Sequence, residues 1–160
     1  MKVIFYGNRF DKFPFINSSI RWWTSSLKEK FNGKWRDSFS HCELLFDNDM
    51  MFSASQYENN TRYKKHSLTG KAWVRVEIRL TTKQESLIVE FCNNHTNKKY
   101  DYLGILGFLF GNNDSPNRWF CSEIVTEALI YADYLENYID SSRVSPNKLF
   151  KLIKEVEDDS

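Results

Sequence analysis

Long hydrophobic runs are missing from this chain of 160 residues. The longest apolar stretch, YLGILGFLFG (102–111), is half of the ~20 residues a membrane-spanning helix needs, so stable membrane insertion is not expected. Charge of one sign is missing too. Twenty-two Lys and Arg stand against 21 Asp and Glu, a net +1, whereas a nucleic-acid partner calls for a clear basic excess. Cysteine is sparse and odd in number, at three, and the opening MKVIFYGNRF lacks the shape of a signal peptide. These features point to a reducing compartment, and the protein is expected to be cytoplasmic and soluble. Metal-ligand spacing is also lacking. Cys92 and His95 share a helix face and could form half a site, but no second pair stands at ligand spacing, so no metal or other cofactor is expected. Repeats, low-complexity blocks and linkers are absent. Residues 1–160 therefore read as one domain, with the acidic end EVEDDS (155–160) expected to fray.

What is present suits a packed core: 41% hydrophobic and 16% aromatic residues, in a chain long enough to bury roughly 70% of its unfolded surface. Apolar patterning predicts a strand at 2–6, a helix over 16–31 closed by Asn32-Gly33, and a hairpin of SHCELLF (40–46) and MMFSAS (50–55) around Asp47-Asn48-Asp49. WVRVEIRL (73–80) reads as a strand. Residues 81–97 read as a helix with a capping box of Thr82 and Glu85. A short buried helix over 101–110 takes Asp101 as N-cap, and Ser145-Pro146 opens a last helix. The expectation is an α+β domain, a mostly antiparallel sheet packed against helices.

The stretch RWFCSEIVTEALIYA (118–132) carries the chemistry. From Cys121 the pattern turns helical, with Ile124, Ala128, Tyr131 and Leu135 on one predicted apolar face. A free thiol titrates near 8.5. A helix dipole supplies roughly 0.3–1 kcal/mol, less than one pKa unit, so a nucleophile here needs a histidine. Glu123, about 200° round the helix from Cys121, opposes a thiolate modestly. His66 sits in the basic turn YKKHS and reads as a solvated loop residue. His95 lies near a helix end. His41 alone lies in a predicted strand. There it shares a face with Glu43, while Cys42, Leu44 and Phe46 point to the other side. A carboxylate beside an imidazole can orient the ring and stabilise imidazolium; the same pair also fits an ordinary polar strand face. Cys42 and Cys92 read as core thiols.

In order along the chain, IRWWTSS, FSHCELLF, FSAS, KKYDYLGILGF, WFCSEIV and a late Ser-Pro resemble the circularly permuted branch of the NlpC-type papain-like hydrolases. That branch contains the YiiX-like bacterial proteins, many small phage proteins and, more distantly, lecithin–retinol acyltransferase. In it the histidine strand precedes the cysteine helix, as here. The resemblance implies a permuted papain-like fold with Cys121 as nucleophile and His41 as general base. Many relatives carry a His or Glu on the strand after the histidine, where this chain has Ser53 and Ser55, and Glu43 is the substitute for that third residue. Tyr100 matches a Tyr-Asp position and could donate to an oxyanion with the Cys121 N–H, or simply pack. Ser53, Ser55 and Trp22 complete the set expected around the substrate, although Trp22, Trp23 and Trp35 also suit core packing. The implied function is a cysteine hydrolase cleaving an amide, isopeptide or ester through a thioacyl intermediate. Peptides, peptidoglycan and acyl groups are its substrate classes, in a host cytoplasm if the protein is phage-encoded. Two alternatives stand beside it: an inactive papain-like binding protein that captures a host protein, and a lipid acyltransferase or acylhydrolase.

Overall fold

A computed structural model describes residues 1–7, 38–66, 73–101 and 118–159, and the structural statements below concern those residues. The helix expected over 16–31, with Trp22, and all but Asp101 of the one expected over 101–110 lie outside them. Seven strands form one sheet: β1 (Lys2–Tyr6), β2 (His41–Leu45), β3 (Met50–Ser55), β4 (Asn60–Lys65), β5 (Trp73–Glu77), β6 (Lys99–Tyr100) and β7 (Arg118–Trp119), in the order β5-β1-β2-β3-β4-β6-β7. Five of the neighbouring pairs run antiparallel, and β7 joins β6 in parallel. Three helices complete the α+β architecture: α1 (Thr82–Asn94), α2 (Cys121–Tyr131) and α3 (Pro146–Asp158). None of the described helices is long and apolar enough to cross a membrane.

Strand alternation decides which side carries the core. Val3 and Phe5 of β1, Cys42 and Leu44 of β2, and Phe52 and Ala54 of β3 project to one face and are fully buried. Against that face lies α2, which touches β2, β3, α1 and α3. Ile124, Val125, Ala128 and Leu129 are fully buried, each worth about 1.5–3 kcal/mol for the larger side chains. A helix enclosed on so much of its circumference loses a clean apolar stripe. Tyr131, expected on that stripe, is 45% exposed. It sits at the helix end, ring against Phe91 (5.6 Å) and hydroxyl donating to Glu90 (3.0 Å).

Helix ends are fixed by local chemistry. TTKQE contains two overlapping box patterns, and the one used is a residue earlier than expected: Gln84 N donates to Thr81 Oγ1 (3.2 Å) and Thr81 N to Gln84 Oε1 (3.0 Å). Ser145 caps α3 through Lys148 N (3.2 Å), with Pro146 in its first turn. α3 runs to Asp158, into the acidic end, where Glu157 accepts from Arg79 N (2.8 Å) and from the Tyr134 hydroxyl (2.8 Å). The strand expected over 73–80 ends at Glu77. An unexpected strand, β4, arises from the polar NTRYKK. Its Thr61 is fully buried and bonded by its hydroxyl to the His95 carbonyl and the Lys98 N–H.

Candidate active site

Cys121 is the first residue of α2, immediately after the two-residue strand β7 and the extended N-cap Phe120. Phe120 offers no capping side chain. Glu123 instead takes the Phe120 N–H (3.2 Å), which spends its charge on a helix-start donor. The first-turn N–H groups of α2 surround the sulfur end of the helix, where partial positive charge favours an anion.

His41 opens β2, the strand beneath α2. As strand periodicity requires, His41 and Glu43 share a face. His41 Nε2 stands 2.9 Å from Glu43 Oε1, and the Cys121 thiol is the other group whose charge acts on the imidazole. With Nε2 committed to the carboxylate, Nδ1 is the ring nitrogen left to exchange a proton with sulfur. The ring keeps 23% of its surface open and meets Trp73 edge-on at 6.3 Å; Trp73 in turn packs on Tyr6 (4.9 Å). Glu43 is buried and receives two bonds from Arg62 of β4: Nη2 to Oε1 (3.1 Å) and Nη1 to Oε2 (3.2 Å).

Electrostatics follow from this chain of alternating charge. Burial alone would raise the Glu43 carboxyl, but the hydrogen bond and charge of His41, then the Arg62 guanidinium, hold it down at about 2. Burial would lower the imidazole; Cys121 first, then Glu43, outweigh that and push His41 up to about 10. The Cys121 thiol is held well below its ordinary value by the Cys42 thiol hydrogen bond and, against burial, by the charge and hydrogen bond of His41. Cys42 moves the opposite way, pushed up by burial and by serving as donor to Cys121. Both shifts run in the direction that favours thiolate and imidazolium.

The remaining expected residues fall differently. Ser53 is fully buried, and its hydroxyl donates to the Cys42 carbonyl (2.8 Å). Ser55 is buried and accepts from Glu58 N (3.4 Å). Their hydroxyls are engaged with backbone, Ser53 between β2 and β3 and Ser55 in the turn that follows β3. Tyr100 is buried in the same core as Phe120 and Cys121, its N–H donating to Asn59 O (3.2 Å). Trp22 is outside the described residues. Among the described residues no group of three or more His, Cys, Asp or Glu could hold a metal, and His95 stacks on Phe91 at 4.0 Å with Nδ1 2.8 Å from the Phe91 carbonyl.

Three residues near the reacting atoms were not anticipated in these roles: Cys42, Arg62 and Trp73. Cys42 alternates away from His41, yet it lies directly under the start of α2. Arg62 precedes the YKKHS stretch read as a turn and was assigned to no element. Alternation within NTRYKK, with Thr61 and Tyr63 apolar-side and Arg62 and Lys64 opposite, is the pattern that would have found it. Comparison with protein-family models, curated proteins and solved structures finds no match to this chain.

Proposed function

We propose that this protein is a cysteine hydrolase on a permuted papain-like fold, cleaving an amide, isopeptide or ester bond through a thioacyl intermediate. One observation carries the reading: a single imidazole, bonded to a buried carboxylate, feels the charge of a thiol at a helix N-terminus. Cys121 Sγ attacks the carbonyl carbon, and the developing oxyanion meets backbone N–H donors at the start of α2. His41 Nδ1 gives its proton to the leaving nitrogen or oxygen as the bond breaks. The neutral ring then takes a proton from water, whose oxygen attacks the thioester, and keeps it as sulfur leaves as thiolate, so that release of the acid restores the ion pair. Glu43 holds the ring by Nε2 throughout and stabilises its charged form. The three cysteines are free, and work in the reducing cytoplasm would keep the nucleophile as a thiol.

A panel of peptidyl, isopeptidyl and acyl-ester chromogenic substrates tests the proposal, read against Cys121→Ala and His41→Ala. Turnover that both replacements abolish, with an acyl-enzyme trapped by mass spectrometry, is the expected result. Turnover unchanged in either variant contradicts it. The rival binding-protein reading drew its motive from the serine at 53. Glu43 beside His41 removes that motive, since the carboxylate missing from β3 is supplied from β2.

A further inference from the structure

We propose that Arg62 is a positioning residue of this site, a guanidinium clamp that fixes the Glu43 carboxylate against His41 by reaching across the small side chain of Ser53. The inference rests on the hydrolase reading and adds to it a fourth residue, from a strand that carries none of the reacting groups.

Sheet register makes the reach possible. Ser53 and Arg62 are direct partners on β3 and β4. One step beyond the Leu44↔Phe52 pair of β2 and β3, Ser53 falls opposite Glu43. Glu43, Ser53 and Arg62 thus form one row across three strands, on the face away from the main core. The two outer members are long and oppositely charged, and the middle one is short. A leucine or glutamate at 53 would fill the space the guanidinium crosses. Ser53 is fully buried beneath it, its hydroxyl turned to the Cys42 carbonyl, and its own carbonyl accepts from Arg62 Nη1 (3.4 Å).

The guanidinium is saturated from both sides. Nη1 and Nη2 grip Glu43, and Nε pairs with Glu58, whose other oxygen accepts from Lys64 Nζ at 2.9 Å. Charges therefore alternate from Cys121 through His41, Glu43, Arg62 and Glu58 to the half-exposed Lys64. Glutamate has one more rotatable bond than aspartate, and a single hydrogen bond to a partly exposed imidazole would leave it loose. A planar fork removes that freedom, which a lysine ammonium cannot do. Glu43 Oε1 is shared between His41 and Arg62, so the clamp sets where the imidazole points.

Iodoacetamide alkylation of Cys121, resolved by mass spectrometry from pH 5 to 10, tests the clamp in wild type, Arg62→Met and Arg62→Lys. The Met variant is expected to titrate about one unit higher and to react about tenfold more slowly at pH 6. The Lys variant should recover less than half of that loss, because it restores charge without the fork. Should Arg62→Met fail to fold, Ser53→Leu, which blocks the crossing and keeps the arginine, is expected to give the same upward shift. A purely structural arginine would lower Tm and leave the Cys121 titration where it is. Superimposable titrations of wild type and Arg62→Met, with the wild-type thiol acidic, overturn the clamp alone; a wild-type Cys121 titrating as a free thiol overturns the hydrolase reading and the clamp with it.

Discussion

Two cysteine–histidine pairs occupy this molecule, and they behave in opposite ways. Cys121 and His41 meet where a strand start lies under a helix start, with Glu43 behind the imidazole. Cys92 and His95 sit at the C-terminal end of α1, in core packing, with His95 stacked on Phe91 and crossed by Trp119 at 5.4 Å. Burial pushes the Cys92 thiol well up, against the Tyr63 hydrogen bond. Burial also acts on Cys121, yet that thiol is held down. Nearness of a histidine in sequence is therefore not what makes a thiol acidic. The difference lies in a donor thiol, an imidazolium backed by a carboxylate, and the end of the helix at which the sulfur sits.

The comparison can be broken or sharpened by substitution. Cys121→Ala is expected to have the largest effect, removing turnover to background, about a thousandfold or more. Intact Cys92 and Cys42 should supply no residual fast alkylation. Glu43→Gln comes next. It leaves His41 a neutral partner and should slow Cys121 alkylation at pH 6 by about ten- to a hundredfold. It also takes one of two carboxylates from a mostly buried arginine that keeps Glu58, at a stability cost of about 2 kcal/mol by urea unfolding.

A smaller effect is expected in acid. Glu43 is held at about 2 in the folded chain against 4.5 when free. Its stabilisation is thus fully present above about 4.5 and is lost as pH falls through about 2, on the order of 3 kcal/mol across that window. Urea unfolding between pH 2 and 6 should show this slope in wild type and a flatter one in Glu43→Gln. An identical slope in both would remove Glu43 from the acid response. The smallest expected effect is none. His95→Gln should leave the slow alkylation of Cys92 unchanged, whereas an acceleration or loss would make the two pairs alike.

Much of this arrangement was legible in the chain. The same-face logic of HCELL brought His41 beside Glu43, and RWFCSEIV placed Cys121 at a helix start, because both follow from local periodicity. The α+β sheet and the N-terminal ends of α1 and α3 came from the same signals, with the Thr81 box displaced by one residue where two patterns overlap. Arg62 was not legible, since its strand is polar on one face and owes its place to long-range ties such as Thr61 with the His95 carbonyl. Strand alternation assigned Cys42 to the core, where it is fully buried, but nothing local revealed that the core at that point contains Cys121. Ser53 and Ser55 were expected at the substrate by analogy of position, and the structure spends their hydroxyls on the backbone.

The most direct test is the site-resolved pH dependence of iodoacetamide alkylation at Cys121 and Cys92, in wild type and in His41→Ala. The account predicts a Cys121 thiolate formed well below the free-thiol value of about 8.5 and slowed about a hundredfold at pH 6 without His41, beside a Cys92 that stays inert in both proteins. A Cys121 that titrates as a free thiol and ignores His41 would contradict it.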